Sequence, residues 1–184
     1  MRWIVIVAVT LVVLIAVIAL IGAALPRDHV ASVTARIAAK PADVWTTLTT
    51  PAAFPEWRSD VKRVELLPAT ATGPSWREHG RNGSMTFVVD AWEPPTRFVG
   101  RIADIGLPFG GTWEYRIDPD GPTGSRVTVT ERGSIYNPIF RFVSRFVMGY
   151  TATMKSYLNA LARRFGGETT PQEVAVARGG ANGI

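Results

Sequence analysis

The chain opens on an unbroken apolar stretch. Residues 3–25 read WIVIVAVTLVVLIAVIALIGAAL, with no charge and only Thr10 and Gly22 interrupting the run. As a helix rising about 1.5 Å per residue, it would reach roughly 34 Å, enough to cross a bilayer core of about 30 Å. No face of it is polar, so a buried core helix fits poorly. The pattern predicts a single-pass N-terminal transmembrane anchor over residues 1–27. The alternative is a cleavable signal peptide. Gly22-Ala23-Ala24 supplies small residues for cleavage, but the stretch exceeds a usual h-region and only Arg2 precedes it. Arg2 and the α-amino group stand before the stretch; Arg27, Arg36 and Lys40 follow it, with Asp28 among them. The charges nearly balance, so the side of the membrane is left undetermined.

After Pro26 the pattern turns to alternation. In residues 29–39, Val33, Ala35 and Ile37 point one way and Thr34 and Arg36 the other, as in a half-buried strand. Pro41 then suits the first turn of a helix over 42–50, and a second short helix is predicted over 52–57. Strand-like runs follow at 61–67, 75–81, 84–92, 97–104, 112–117 and 126–132. Asn82-Gly83 and Asp118-Pro119-Asp120-Gly121 mark turns between them. Such spacing predicts an antiparallel sheet of about seven strands. Asn137-Pro138 opens a predicted long helix ending at Phe165 before Gly166-Gly167. Its apolar positions, from Ile139 through Phe142, Phe146, Tyr150 and Met154 to Phe165, follow the 3.6 period. Residues 168–184 are polar, Gly-rich and aperiodic, and read as a disordered tail. One α+β domain over 28–167 is the result.

Composition mainly excludes. The 184 residues contain no Cys, which removes disulfides, zinc-thiolate sites and a Cys nucleophile. With only His29 and His79, a histidine-built metal site is not expected, and no cofactor is implied. Twenty basic residues against 15 acidic ones give a net charge of +5, too interspersed for a nucleic-acid face.

The order of elements carries more. VTARIAAKPADVWTTLTTPAAFPEW places Pro41, Val44-Trp45 and Pro55-Glu56-Trp57 in sequence. This stretch resembles the opening of the START-like superfamily, also called SRPBCC or the helix-grip fold. EPPTRFVGRI, GGTWEYRIDPDGPTGSRVTVTERG and the final helix are similar to its polyketide cyclase/dehydrase-like branch, and the likeness covers about residues 29–166. The resemblance implies a curved antiparallel sheet wrapped around a long C-terminal helix, with a hydrophobic cavity between them. Members bind lipids, sterols, polyketides and other apolar molecules. Some are enzymes whose catalytic residues differ between branches, so the resemblance brings no catalytic motif with it.

Residues that could line such a cavity follow from parity. Trp113, Tyr115 and Ile117 share one strand face, as do Met85, Phe87 and Val89, while Phe142, Phe146 and Tyr150 stack at i, i+4 and i+8 of the predicted helix. Each is read either as cavity wall or as interdigitated core. Glu131 shares the face of Val127 and Val129, so a ligand contact or general acid/base role competes with a carboxylate at the strand end, near the cavity mouth, paired with an arginine. Glu78 shares parity with Trp76, although a bulge would turn it outward. His79 reads as a surface residue, Asp90 and Arg101 as a cross-strand pair, and Arg141, Arg145, Arg163 and Arg164 as a solvated helix face. Leu107 and Phe109, in the Gly/Pro-rich loop 105–111, are either a lid or an ordinary connection. The expected function is a membrane-tethered binding module for a hydrophobic small molecule or lipid. The alternatives are a cyclase-, dehydratase- or hydrolase-like enzyme using Glu131 or Glu78, and a structural or regulatory domain with a filled cavity.

Overall fold

A computed structural model describes residues 2–81 and 83–176. The apolar stretch is helix α1 (Arg2–Ala24), followed by strand β1 (Asp28–Ile37). Helix α2 (Pro41–Leu48), a 3-10 turn (Pro51–Ala53) and the short α3 (Phe54–Trp57) lead to the strands. These are β2 (Val61–Thr70), β3 (Gly73–Gly80), β4 (Gly83–Glu93), β5 (Arg97–Ile102), β6 (Phe109–Pro119) and β7 (Ser125–Ile135). The C-terminal part holds α4 (Pro138–Val143), a π-helical turn (Ser144–Met148), α5 (Ala152–Arg164) and a two-residue strand β8 (Gln172–Glu173).

The strands form one antiparallel sheet in the order β2-β3-β4-β5-β6-β7-β1-β8. Successive strands from β2 to β7 are neighbours, as turn-linked alternation dictates. β1 lies beside β7, and the two pair from Asp28↔Ser134 to Ile37↔Ser125. Helices α2 and α3 make the connection that carries the chain to the opposite edge. Asn82 lies outside the described residues, and the hairpin it marks pairs Gly80 with Gly83. The predicted alternation is realised: Val33, Ala35, Ile37, Ile117, Val127 and Val129 are buried on one face, against Val44 and Leu48 of α2 and Met154, Leu158 and Leu161 of α5. A second cluster of Phe54, Val61, Trp76 and Val89 packs under α3, and Trp57 touches both.

The C-terminal helix departs from the prediction. Its N-cap is as expected, with Asn137 Oδ1 accepting from the Ile139 and Phe140 amides at 2.9 and 3.2 Å. The helix then widens into the π turn and breaks at Gly149, whose φ is +74°. Only a glycine takes that conformation without a steric cost. The apolar 3.6 period runs through the break because a single wide turn hardly changes the spacing. Phe142, Phe146 and Tyr150 therefore do not form one stack: Phe142 and Phe146 pack at 5.0 Å on the first segment, and Tyr150 lies beyond the break.

The first segment packs on α1 instead of on the sheet. Gly22 is buried there, and a Cβ would overlap the Pro138 carbonyl. Arg141, expected to be solvated, is buried at this joint. Its guanidinium donates to the carbonyls of Ala23 (3.4 Å), Leu25 (2.9 Å) and Tyr136 (3.3 Å). A helix leaves its last carbonyls unpaired and its C-terminus partly negative, and a cation there answers both. Within the stretch read as a tail, residues 168–176 are described and include β8. Gln172 and Glu173 pair with Thr34 and Val33, and Glu173 accepts from Thr151 and Lys155; residues 177–184 lie outside the described residues.

On the other face of the sheet, Asp90, at the register shift between β4 and β5, pairs with Arg101 at 2.8 Å, and Arg97 bridges Glu93 and Glu114. The hydrogen bond from Arg97, opposed by partial burial and aided by the Arg97 and Arg116 charges, holds the Glu114 carboxyl below its ordinary value of 4.5. A carboxylate with a depressed folded-state pKa stabilises the fold above its unfolded value, and that contribution disappears as pH falls through the folded one. Glu114→Gln is therefore expected to lower the urea midpoint at pH 7 and to flatten the loss of stability below about pH 4.5.

Candidate functional site

The inner face, on which α5 packs, is built by alternation on β1 and β3 to β7. Tyr115 stacks on Phe98 at 4.3 Å, and Phe87 stacks on Trp76 at 5.6 Å. From α5, Tyr157 meets Trp113 and Tyr115 at 5.7 Å and Trp57 at 5.3 Å. Along α5 the space between sheet and helix is thus occupied by aromatic and aliphatic side chains. Tyr115 and Tyr157 serve there as packed core. Burial pushes both phenols well above their ordinary value, against the opposing pull of the Arg58 charge.

One polar group sits among these rings. Glu78 points inward and is buried, 6% exposed, despite the irregularities in β2–β3 pairing. Arg58 donates to both of its oxygens at 2.9 Å, and Trp76 Nε1 donates to Oε1 at 3.0 Å. The guanidinium also reaches Asp60 at 2.7 Å and lies 5.2 Å from the ring centres of Phe54 and Tyr157. Burial disfavours its charge, but Glu78 and the hydrogen bond to Asp60 more than offset this, so the cation is held above its ordinary pKa. Three donors on the carboxylate's two oxygens make this a pair that fixes structure. Arg58 went unnoticed in the sequence; its signal was a cation directly after the aromatic turn Pro55-Glu56-Trp57.

Glu131 also points inward, opposite Trp113 in register, and its partner is a histidine. His29 Nε2 lies 3.4 Å from Glu131 Oε1, and its ring stacks on Tyr150 at 4.1 Å. The imidazole is nine-tenths buried, and its Nδ1 has no hydrogen-bond partner among the described residues. Gly133 faces His29 across the pair of strands, and a Cβ there would run into the ring. The glycine makes the room the histidine occupies. His29 shares parity with Ala31 and Val33, so alternation already places it inward. His79, by contrast, is half-buried at the sheet margin, between Ser84 (2.7 Å) and Arg63 (2.9 Å).

Beside this trio the molecule opens. A cleft of about 620 Å³ runs along the edge of β1 past the end of β8. Val30, Val174, Val176 and one side of Tyr150 give it apolar walls; Arg132, Arg145, Ser32, Thr151 and Glu173, whose carboxylate is engaged by Thr151 and Lys155, give it polar ones. The helix break at 149–151 is what leaves it open. Of the predicted ligand-binding residues, Tyr150 lines it, and Glu131 lies one layer behind through His29. Phe87, Trp113 and Tyr115 belong to the packed inner face, while Phe142 is half-buried and Phe146 points outward. Phe109 is the first residue of β6 and pairs with Ile135. The loop before it is tied to Tyr136 and Asn137, whose amides donate to Pro108, and Leu107 is half-buried within it. Among the described residues, no three His, Asp or Glu side chains converge as a metal would require.

The family model described as "Polyketide cyclase / dehydrase and lipid transport" matches residues 28–166. The chain belongs to that family. Its structural neighbours are START-like. A START superfamily protein from Mycobacterium smegmatis superposes with a TM-score of 0.60 at 18% identity, over 75% of this chain and 97% of that one. A norcoclaurine synthase point mutant from Thalictrum flavum, in complex with a transition-state analogue, gives 0.59 at 11% identity, over 75% and 94%. These likenesses show the fold. A tricorn protease homolog 2 from Streptomyces coelicolor is 35% identical over 80 residues. That match is 41% of this chain, which spans about 7% of the relative's length. The domain is thus of the ligand-binding START-like kind, carried behind an apolar N-terminal helix.

The Arg58–Glu78 pair makes a sharp test, since stranding a buried charge costs more than removing the pair. Glu78→Leu is expected to destabilise the full chain in detergent by about 3–5 kcal/mol in urea unfolding. The double variant Arg58→Met/Glu78→Leu should recover most of that loss.

Proposed function

We propose that the protein is a membrane-tethered binding module for a hydrophobic small molecule or lipid, held by α1. The cleft along β1 carries this reading. Its volume lies within the range of small-molecule sites, and it has apolar walls with a few polar groups at one side. Arg132 and Arg145 suit an anionic or strongly polar head, while Val30, Val174 and Tyr150 suit a chain. The family description includes lipid transport, which agrees. α1 is long and apolar enough to cross a bilayer, and it ends four residues before β1 begins. The expected occupant therefore sits near the lipid phase. The probe is a diazirine fatty acid added to the full chain in nanodiscs. Crosslinks are expected on peptides containing Val30–Ser32 and Tyr150, and to fall several-fold in Val30→Trp, which fills the cleft. Equal labelling of those peptides in the variant would refute the site.

A second reading follows from the His29–Glu131 contact of 3.4 Å. A carboxylate beside an imidazole, next to a cleft, is an arrangement suited to proton transfer. Under that reading, Glu131→Gln abolishes turnover of a cleft ligand while fatty-acid labelling persists. Unchanged turnover removes Glu131 from the chemistry.

A further inference from the structure

The chain between Tyr136 and Met148 carries apolar side chains that none of the described residues covers. Ile139 and Phe140 of α4 are exposed, and Phe146, Val147 and Met148 of the π turn are exposed by 59%, 72% and 60%. A soluble surface rarely groups so many large apolar residues without a partner. Their place relative to α1 says what that partner is. Within α1, burial is confined to Ile18, Ala19 and Gly22, one stripe of the helix, and α4 is the element packed there. Ile18 lies seven residues before Leu25, about 10 Å inside the end of the apolar stretch. A segment that packs along that stripe sits beside the span, below the point where the chain leaves it.

We infer that residues 138–148 form a second membrane contact, a short amphipathic element that lies in the interfacial layer of the bilayer next to α1. The inference rests on the reading of α1 as an anchor. The polar groups of the element are arranged accordingly. Arg141 turns inward, where its two terminal nitrogens donate to the carbonyls of Ala23, Leu25 and Tyr136 and its buried Nε has no partner among the described residues, so its charge is directed at the joint with α1 and away from lipid. Arg145 is exposed and long enough to place its guanidinium among head groups while its stem stays in the apolar layer. Tyr136 is exposed beside Arg27, which lies 5.3 Å from its ring centre, a pairing suited to the membrane–water boundary. The loop tied to Tyr136 through Pro108 carries a fully exposed Ile105 on the same end of the domain. The helix break has a purpose in this arrangement: a continuous helix would hold Phe146–Met148 to the line of α5, whereas the turn at Gly149 releases them to the α1 side.

The chain has no cysteine, so single nitroxide labels can be placed cleanly. Val147→Cys and Met148→Cys test the element, Val9→Cys reports on α1, and Thr123→Cys, exposed in the β6–β7 turn, reports on water. The full chain is placed in nanodiscs of phosphatidylcholine with some phosphatidylglycerol, and collision with oxygen is compared with collision with a nickel chelate. Labels at 147 and 148 are expected to be oxygen-rich like the label at 9, and the label at 123 nickel-rich. If 9 is oxygen-rich while 147 and 148 behave like 123, the second contact is refuted and the anchor stands. If 9 is itself nickel-rich, the anchor reading fails and takes this inference with it. If 147 and 148 are shielded from both reagents and show spin–spin broadening, a second copy covers the face and the inference is overturned.

Discussion

Everything in the molecule is referred to the pairing of β1 with β7. Ten consecutive register positions, Asp28↔Ser134 to Ile37↔Ser125, tie the chain just after α1 to the last long strand of the sheet. A slip of one residue would turn Val33, Ala35 and Ile37 outward and Thr34 and Arg36 inward, so the buried face fixes the register strongly. That register places His29 against Gly133 and within reach of Glu131. It also leaves the edge of β1 free beyond the two-residue β8, which is where the cleft lies. Because α1 ends so close to β1, the same pairing fixes where the domain stands relative to its apolar helix.

The sheet was legible because its information is local. Alternation with turn-formers between runs names the strands, and the order strand, two short helices, strands, helix names the family. Parity alone put Glu131 and Glu78 on the inner face. What alternation does not carry is pairing between distant residues. Glu131 meets His29 across β1 and β7, and Glu78 meets Arg58 from the turn after α3; neither partner is near in sequence. The C-terminal helix fails for a different reason. The 3.6 period is kept through residues 139–165 by Phe142, Phe146 and Tyr150, but Gly149 in the middle costs a helix about 1 kcal/mol and is the local sign of the break. Arg141 was misplaced for the same reason: a helix-wheel reading assumes that the sheet is the partner, whereas α4 packs on α1.

The interior shows how one fold divides its polar groups between structure and opportunity. Glu78 is fully engaged, with both oxygens on Arg58 and one also on Trp76, in a setting of rings that exclude water. Removing such a group strands a buried cation. Glu131 is less enclosed. Among the described residues its charged partner is an imidazole whose other nitrogen is unpartnered, and a tyrosine ring separates that imidazole from the cleft. The difference is between a carboxylate that holds the grip closed and one that still has bonding capacity to offer a visitor. Filling the grip along α5 with Tyr157, Met154, Leu158 and Leu161 stabilises the domain without a ligand, so binding at the cleft need not be coupled to folding.

Under the proposed function, the position of the opening matters as much as its lining. Moving an alkyl chain from lipid through water costs about 0.8 kcal/mol per methylene, so a chain of a dozen carbons meets a barrier on the order of 10 kcal/mol. A cleft far from the membrane would have to overcome that cost with a carrier or a large opening motion. Here Gly149 and Tyr150, which line the cleft, follow directly on the exposed apolar residues 146–148, and Arg145, also in the lining, stands just before them. An alkyl chain leaving the bilayer along that element would keep apolar contact for most of the way, with Arg145 and Arg132 available to its head. The break at Gly149 then answers two demands at once: it opens the cleft, and it turns the apolar residues before it toward the lipid from which a guest would come.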